Sequence, residues 1–325
     1  RLRQVSSARA HAPKIKVGMV QPNVSFDMKG VENPEFAQHE LADLQERSRL
    51  LALEGADLIV WPESGYPYAF SRQATSDFAA ADARHVKRGF TTPLVFGAIT
   101  VPPWHNGPRQ YPYNSALLLD RDGRITGSFD KIFLLMFGEY IPGLETFPWL
   151  RKVLPQQAGH FARGKDVTTF PLQTPDGRVW RLAPMICYED ILPSLGRKIG
   201  KLHPHLLVNL TNDAWFGDTS EPWQHLALSV FRSVELRTDL VRAVNTGVTA
   251  YIDATGRVYN KTYAVNPVVD PKPAEGILDE VALMEGGHTV YARVGDLFGY
   301  LNLLALVGLW IVWPRWPSSA PKARR

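Results

Sequence analysis

Cysteine is nearly absent from this chain of 325 residues, which contains a single one, Cys187. A lone thiol can form neither an internal disulfide nor a metal site made of several thiolates, so it is either an inert buried group or a nucleophile. An apolar run, residues 179–186, ends directly before it, and an acidic helix start follows. This order predicts a strand that places the sulfur at the carboxyl edge of a sheet, where helix amide dipoles favour the thiolate.

Strong charge of one sign is also missing. The formal net charge is +4, and no long block of lysine or arginine indicates a nucleic-acid surface. A metal site is not indicated, because His203 and His205 lack a third ligand at a recognisable spacing. Ser64 lies outside a Gly-x-Ser-x-Gly elbow, which argues against a serine hydrolase. We therefore expect no cofactor, no metal and no nucleic-acid partner.

The C-terminal segment 297–313 contains no charged residue. As a helix it would measure about 25 Å, just short of the hydrocarbon core of a bilayer. Trp310, Trp313 and Trp316 gather at its end, as in an interfacial belt. A basic tail follows, with Arg315, Lys322, Arg324 and Arg325. We therefore expect a transmembrane helix with a cytoplasmic tail and the bulk of the chain on the outer side, a buried core helix being the alternative.

This segment suggests an organisation in four parts. Residues 1–13 are basic, polar and without periodicity, and they begin with Arg1, so we expect a linker from an upstream membrane segment. Residues 14–294 would form the catalytic domain and residues 295–316 the transmembrane helix. Residues 317–325 would form the basic tail on the cytoplasmic side.

Secondary-structure patterns indicate the α/β class. Strands are predicted at residues 14–21, 56–61, 93–100, 113–120, 124–130, 179–186, 206–210, 240–245 and 249–253. Helices are predicted at residues 33–54, 70–87 and 223–238, and after Tyr188. Strands alternate with helices early and pair through tight turns later, which favours a mixed sheet, or two sheets, covered by helices.

Three chemically useful side chains, Glu63, Lys131 and Cys187, each follow a predicted strand. Strand ends at one edge of a sheet converge on a common crevice. A carboxylate, an ammonium and a thiol together suit acyl transfer. The carboxylate would take the thiol proton, the thiolate would attack a carbonyl, and the ammonium would stabilise the oxyanion.

The order of the motifs around these residues resembles the carbon–nitrogen hydrolase, or nitrilase, superfamily. The matching motifs are Trp61-Pro-Glu63, Tyr113-Asn-Ser115, Asp130-Lys131, Cys187-Tyr-Glu189 and Asn212-Asp213. The resemblance implies an α-β-β-α sandwich in which Glu63 is the general base, Lys131 the oxyanion stabiliser and Cys187 the nucleophile.

Longer motifs are similar to those of the apolipoprotein N-acyltransferase family. They are Gly138-Glu-Tyr-Ile-Pro142, Cys187-Tyr-Glu-Asp190, Asn209-Leu-Thr-Asn-Asp-Ala-Trp-Phe-Gly217, Pro222-Trp-Gln-His225 and Asn245-Thr-Gly-Val248. That family adds the third acyl chain to bacterial lipoproteins at the periplasmic face of the inner membrane. The resemblance thus implies a phospholipid donor, a diacylated apolipoprotein acceptor and a membrane location. It implies supporting roles for Glu139, Tyr188, Glu189 and Trp215.

Three alternatives stay open at this point. The chain could be a membrane-tethered amidase of the same superfamily, with water as the second acceptor. It could also be a binding domain in which the triad is degenerate. Finally, the apolar segment 132–137 after Lys131 either lines an acyl groove or lid, or is a buried segment that holds the lysine.

Overall fold

Two β-sheets packed face to face form the centre of the protein. The computed structural model describes residues 2–24, 33–103, 110–143, 147, 149, 161–264, 273–285, 287 and 289–312. All statements about the structure refer to these ranges. They confirm the predicted α/β class with two sheets.

The first sheet contains seven strands. They are β1 (Lys14–Gln21), β2 (Leu58–Val60), β3 (Phe70–Ser71), β4 (Leu94–Val101), β5 (Tyr113–Leu119), β6 (Ile125–Asp130) and, from the end of the domain, β13 (Glu275–Ala282). Their order is β13-β1-β2-β4-β5-β6, with β3 paired to β4. Because β1, β2 and β4 are parallel, their carboxyl ends lie at one edge of the sheet.

The second sheet contains six strands in simple order from β12 to β7. They are β7 (Phe170–Gln173), β8 (Val179–Ile186), β9 (Leu206–Thr211), β10 (Leu240–Val244), β11 (Gly247–Ile252) and β12 (Val258–Ala264). Strands β8, β9 and β10 are parallel, and β9, β10 and the second half of β8 are buried. The loops after β8 and β9 therefore leave the sheet at the same edge.

Six α-helices lie in the described residues, and two of them cover the outer faces of the sheets. The six helices are α1 (Leu2–His11), α2 (Pro34–Leu53), α3 (Pro193–Gly200), α4 (Glu221–Leu236), α5 (Val290–Val294) and α6 (Leu297–Val312). Helix α2 begins at Asn33, whose side chain accepts hydrogen bonds from the amides of Glu35 and Phe36. Helix α2 packs on the first sheet and α4 on the second. The layers form the expected α-β-β-α sandwich.

Apolar side chains from the inner faces of the two sheets form the main core. Val17, Leu58 and Val95 from the first sheet belong to one buried cluster with Leu207 and Val241 from the second. All five are at most 1% exposed. Removing this apolar surface from water is the main driving force that holds the sheets together.

The predicted helix at residues 70–87 is wrong, because this segment is a short strand followed by turns. Phe70 pairs with Thr100 of β4, and its ring contacts Phe78 and Phe96. The Asp77 carboxylate accepts hydrogen bonds from the amides of residues 78, 86 and 87. Tertiary hydrogen bonds and aromatic packing thus override a weak helical pattern.

Most of the segment expected to be a linker from upstream residues is helical, as α1. In α1, Arg9 forms an ion pair of 2.9 Å with buried Asp239 and lies 5.1 Å from the ring centroid of Tyr259. Val5 also packs against a small buried cluster that includes Met284. The helix is therefore attached to the domain by specific contacts, which its polar composition did not indicate.

The C-terminal apolar segment forms helix α6, which is described as far as Val312. Its residues from 297 to 311 are all exposed, for example Phe298 at 80% and Trp310 at 77%. This exposure excludes the buried core helix for the described part. Among the described residues, no helix combines the length and the apolar character needed to cross a membrane. Trp313, Trp316 and the basic tail lie outside the described residues.

Candidate active site

Cys187 lies directly after β8 and begins a short 3₁₀ helix, Cys187–Ile191. Its φ angle of 56° is in the left-handed region, which is uncommon for a residue with a side chain and often marks a functional turn. The thiol lines a cavity of about 130 Å³ with Leu135, Tyr188, Trp215 and other side chains. The sulfur thus lies at the predicted carboxyl edge of a sheet.

The expectation that helix dipoles favour the thiolate is wrong for the resting state. Burial, followed by the charge of Glu63, raises the pKa of the Cys187 thiol well above its usual value, although Lys131 acts in the opposite direction. The helix that follows is a five-residue 3₁₀ helix, so its dipole is small. The thiol is therefore protonated at rest and needs a base when it reacts.

Lys131 is held between two carboxylates in the buried interior. Its Nζ atom lies 2.9 Å from Oε1 of Glu63 and 3.0 Å from Oε1 of Glu139. Asn114 donates to the same two oxygens, at 2.7 Å and 2.9 Å. Each of these four side chains is at most 8% exposed. We call these four residues, Glu63, Asn114, Lys131 and Glu139, the lysine cluster.

The ammonium charge of Lys131 is strongly favoured. Burial opposes this charge, but Glu63, the Cys187 sulfur and Glu139 outweigh burial and raise the pKa of Lys131 well above its usual value. A permanently charged ammonium beside the thiol is suited to stabilising a negative oxygen. Its Nζ atom lies 5.6 Å from the centroid of the Tyr188 ring, which lines the cavity.

The two carboxylates of the lysine cluster differ in their second oxygen. Glu139 uses Oε2 to accept a hydrogen bond of 2.8 Å from the amide of Leu135. Oε2 of Glu63 is buried and has no hydrogen-bond partner among the described residues. A buried carboxylate oxygen without a donor is costly and is available to accept a proton. Of the two carboxylates, Glu63 is thus the one that retains an oxygen without a donor among the described residues.

Close backbone packing fixes the turn that carries Glu63. Ser64 has a left-handed φ of 49°. Gly97 of β4 lies so close that a Cβ atom there would be 2.4 Å from the carbonyl oxygen of Pro62 and 2.7 Å from Cα of Glu63. Only glycine permits this approach, so β4 determines the position of the carboxylate.

Glu189 and Tyr188 connect the nucleophile to the segment after Lys131. Oε1 of Glu189 accepts hydrogen bonds from the amides of Ile132 and Phe133, and its Oε2 accepts one from Ile186. Burial raises the pKa of Glu189 to about 7. The hydroxyl of Tyr188 donates to the carbonyl of Leu134 at 2.9 Å. Both residues therefore connect the end of β8 in the second sheet to the segment that follows β6 in the first sheet.

The apolar segment 132–137 divides into two parts. Ile132 and Leu134 are buried at 8% and 5% exposure, whereas Met136 and Phe137 are exposed at 52% and 60%. The first part fits the hypothesis of a segment that holds the lysine. The second part lies at the surface, where the hypothesis of an acyl groove remains a prediction.

Trp215 lies in a second short 3₁₀ helix, Asp213–Phe216, after β9. It is 44% exposed and lines the Cys187 cavity together with Phe216. The tryptophan is thus at the wall of the site, where the resemblance placed a functional residue. Its neighbour Asp213 points into the protein and is 1% exposed.

A second buried cluster of charges lies behind Cys187. His225 donates from Nδ1 to Asp213 at 2.9 Å and from Nε2 to Asp190 at 3.0 Å. Arg242 donates to Asp213 at 3.2 Å and lies 3.5 Å from Asp190. We call these four residues, Asp190, Asp213, His225 and Arg242, the histidine cluster. It holds two negative and two positive charges, so it is electrically balanced.

The histidine cluster is best described as an ion-pair network. Burial and Arg242 oppose the imidazolium, but Asp190 and Asp213 outweigh them and raise the pKa of His225 to about 9. Ligand atoms of Asp213, Glu221 and His225 lie within 4.8 Å of one another, a spacing that could hold a cation. Both ring nitrogens of His225 already donate protons to carboxylates, so neither offers a lone pair to a metal.

Comparison with known proteins identifies the family. Residues 16–269 match the family described as carbon–nitrogen hydrolase, which is most of the chain. The chain belongs to the carbon–nitrogen hydrolase family. Its fold agrees with solved structures of that kind. An amidase from Nesterenkonia sp. has a TM-score of 0.54 at 19% identity over 89% of this chain and 96% of its own.

Another solved structure and several sequence relatives extend this result. A nitrilase-superfamily member from Saccharomyces cerevisiae has a TM-score of 0.55 at 16% identity, over 83% of this chain and 90% of its own. Apolipoprotein N-acyltransferases from Geobacter metallireducens and Rhodopseudomonas palustris are 35% and 34% identical over 90% and 94% of this chain. The matches cover 53% and 55% of those relatives, so the chain spans about half their length.

Sequence reasoning missed some residues of this carbon–nitrogen hydrolase site. The motif Tyr113-Asn-Ser115 contains Asn114, but the sequence alone does not indicate a role for its side chain. Asp190, His225 and Arg242 were not connected, because they come from three separate segments. The signal available was a polar residue inside an apolar strand, such as Arg242 in β10. Such residues are rarely buried without a partner.

Proposed function

We propose that this chain is the catalytic part of an apolipoprotein N-acyltransferase. It would move a fatty acyl chain from a phospholipid to Cys187 and then to the N-terminal amine of a diacylglyceryl-cysteine lipoprotein. The observation that carries the proposal is the lysine cluster, whose charges act on a buried thiol at the wall of an apolar cavity. The names of the relatives support the choice of substrates.

In the first half-reaction, Glu63 takes the thiol proton on its unpartnered oxygen. The sulfur attacks the ester carbonyl of the phospholipid, and Lys131 stabilises the oxyanion of the tetrahedral intermediate. The intermediate collapses, and Glu63 returns the proton to the departing lysophospholipid hydroxyl. Cys187 is then a thioester.

In the second half-reaction, the neutral amine of the lipoprotein attacks the thioester carbonyl. The C–S bond breaks, one amine proton passes to Glu63, and Cys187 leaves as a sulfur that recovers this proton. The product is an amide. Glu139 and Asn114 would keep Lys131 and Glu63 in position through both steps, since each bonds a member of the pair.

A membrane location follows from the same proposal. The substrates carry long acyl chains, and each buried methylene adds about 0.8 kcal/mol to their preference for a bilayer. The exposed apolar helix α6 would continue into the Trp-rich end of the chain as a membrane anchor. We propose the inner membrane of a bacterium, with the catalytic domain on the periplasmic side.

The test uses the full chain purified from membranes and supplied with phospholipid. Intact-mass spectrometry should find one fatty acyl mass on the protein, lost in Cys187→Ala. Addition of a diacylated lipopeptide should remove this mass and give an N-acylated peptide. Release of free fatty acid without N-acylation would indicate a hydrolase of the same family instead, and no acyl mass at all would contradict the thioester mechanism.

A further inference from the structure

Glu221 is an ionisable residue in the Cys187 cavity that the mechanism above does not use. It lies in the first turn of α4 and lines the cavity together with Cys187, Trp215 and His225. Its side chain is 27% exposed. Its Oε2 atom is buried and has no hydrogen-bond partner in the described ranges. This oxygen therefore lacks the partner that a buried carboxylate normally has.

The neighbouring charges do not neutralise Glu221. The histidine cluster is already balanced, and its two cations bond Asp190 and Asp213 directly. Oε1 of Glu221 lies 3.7 Å from Nδ1 of His225, beyond hydrogen-bond distance, because that nitrogen donates to Asp213. Glu221 is thus a negative group in excess at the wall of an apolar cavity.

We propose that Glu221 binds the N-terminal amine of the acyl acceptor beside the Cys187 thioester and removes its extra proton. This inference rests on the proposed function and names the residue that serves its second half-reaction. An ammonium is the chemical group that balances the extra charge, and it would reach the carboxylate from its exposed side, since the side chain is 27% exposed. The phospholipid donor has no reacting amine, so the first half-reaction does not need this carboxylate.

The proton balance of the step is simple. The acceptor arrives as an ammonium, transfers one proton to the Glu221 carboxylate, and becomes a neutral amine with a free electron pair. This pair forms the N–C bond to the thioester carbonyl, while Glu63 takes the second proton and the C–S bond breaks. The proton on Glu221 leaves to solvent through the exposed side of the carboxyl group.

The environment of Glu221 suits this transfer. Burial, followed by the charges of Asp213 and Asp190, raises its pKa to about 7, although His225 and Arg242 act in the opposite direction. An α-amino group has a pKa of about 7.7–8.0. The two groups are therefore closely matched, and the proton can move in either direction at neutral pH.

The experiment separates the two half-reactions in the full chain. Wild type and Glu221→Gln are first acylated with phospholipid, and the acyl mass on the protein is followed over time. The acylated proteins are then mixed with a diacylated lipopeptide or with hydroxylamine, which is already neutral at pH 7. Glu35→Gln is the matched control, because Glu35 is also in the first turn of a helix beside a proline but is exposed.

We expect Glu221→Gln to acylate like wild type and to transfer to the lipopeptide about 10-fold more slowly at pH 7, because only about a tenth of the free amine is neutral there. The loss should shrink towards pH 9, where most of the free amine is neutral, and hydroxylamine should react at the wild-type rate. Equal slowing with both amines, or equal slowing of both half-reactions, would assign Glu221 a structural role. Normal transfer to the lipopeptide would overturn the inference alone. Absence of acylation in wild type would overturn the proposed function and the inference with it.

Discussion

The two charge clusters around Cys187 are built from similar groups but differ in their charge balance. In the histidine cluster, two cations face two carboxylates, and the network is balanced and buried. In the lysine cluster, one cation faces two carboxylates, and one oxygen of Glu63 has no partner in the described part of the chain. Asp190 Oδ2 in the histidine cluster also lacks a hydrogen bond to any described residue, but it lies 3.5 Å from Nε of Arg242 in a network of equal charges. The difference in charge balance indicates that the histidine cluster maintains structure, while the carboxylate in excess in the lysine cluster makes Glu63 the candidate proton acceptor.

The clusters also come from opposite sheets. Strands and loops of the first sheet supply Glu63, Asn114 and Lys131, whereas the second sheet, its loops and the helix α4 packed on it supply Cys187 and the histidine cluster. The reactive thiol therefore depends on the packing between the sheets for its base. Glu189 secures this arrangement, since its two oxygens bond amides on both sides of the site.

The largest expected effect is on chemistry in the lysine cluster. Replacing Glu63 by Gln removes the base without changing its size, and Cys187→Ser replaces the thiol by a hydroxyl that is far harder to deprotonate. We expect each variant to slow acyl-enzyme formation by at least about 10³-fold in a single-turnover assay. The fold should be retained, as circular dichroism would show.

Glu139→Gln is the matched control for Glu63→Gln, because Glu139 bonds the same lysine and the same asparagine. Both oxygens of Glu139 are already paired, so its loss should disturb the position of Lys131 and cost less activity than loss of Glu63. Equal effects in the two variants would contradict the assignment of Glu63 as the base.

The second largest effect is on stability in the histidine cluster. Arg242→Met leaves Asp190 and Asp213 with only one cation between them in a fully buried place. Removing one partner of a buried ion pair typically costs about 3–5 kcal/mol. We expect the free energy of unfolding in urea to fall by that amount. Arg124→Met, at an exposed pair of 4.0 Å, should change it by less than about 1 kcal/mol.

Titration of His225 provides a third and smaller effect. Its pKa in the folded protein, about 9, exceeds the value of about 6.5 in an unfolded chain. The imidazolium, which faces Asp190, Asp213, Glu221 and Arg242, therefore stabilises the fold fully below pH 6.5. This stabilisation is lost as the pH rises through 9. We expect the free energy of unfolding to fall by a few kcal/mol between pH 6.5 and 9.

A His225→Gln variant should be less stable near pH 6.5 and should show a much weaker fall over this range. The comparison is cleanest above about pH 8, because the carboxyl groups of Glu189 and Glu221, with pKa values of about 7, have lost most of their protons by then. An unchanged slope in the variant would mean that another group titrates.

The sequence predicted those parts of the fold that depend on local pattern. Strands β1 and β8 have the predicted bounds, because each is a continuous apolar or alternating run. The predicted helix at residues 70–87 is absent, since the Asp77 carboxylate bonds the amides of a turn and Phe70 packs on Phe96, which is distant in sequence. Strands β7 and β13 were missed, because only pairing with neighbours reveals them.

The same division, between what local sequence pattern predicts and what long-range contacts decide, holds for the site. The positions of Glu63, Lys131 and Cys187 at strand ends follow from the sequence order and from the rule that parallel strands end at one edge. The protonation state of Cys187 could not be predicted, because it depends on burial, which a sequence does not display. The balanced charges of the histidine cluster likewise require the sheet register that brings Asp213 to Arg242.

The smallest expected effect is on stability in the segment after Lys131, where the exposed Phe137 can be compared with the buried Leu134. Phe137 is 60% exposed with a φ of 64°, so Phe137→Asn should alter the free energy of unfolding by about 0.5 kcal/mol or less, since Asn tolerates this conformation. Leu134→Asn at a buried position should cost about 2–4 kcal/mol. If Phe137 lines an acyl groove, its variant will acylate several-fold more slowly from long-chain phospholipids and normally from short-chain ones. Equal rates with both donors would show that the exposed part of the segment does not contact the acyl chain, leaving it only the role of holding Lys131.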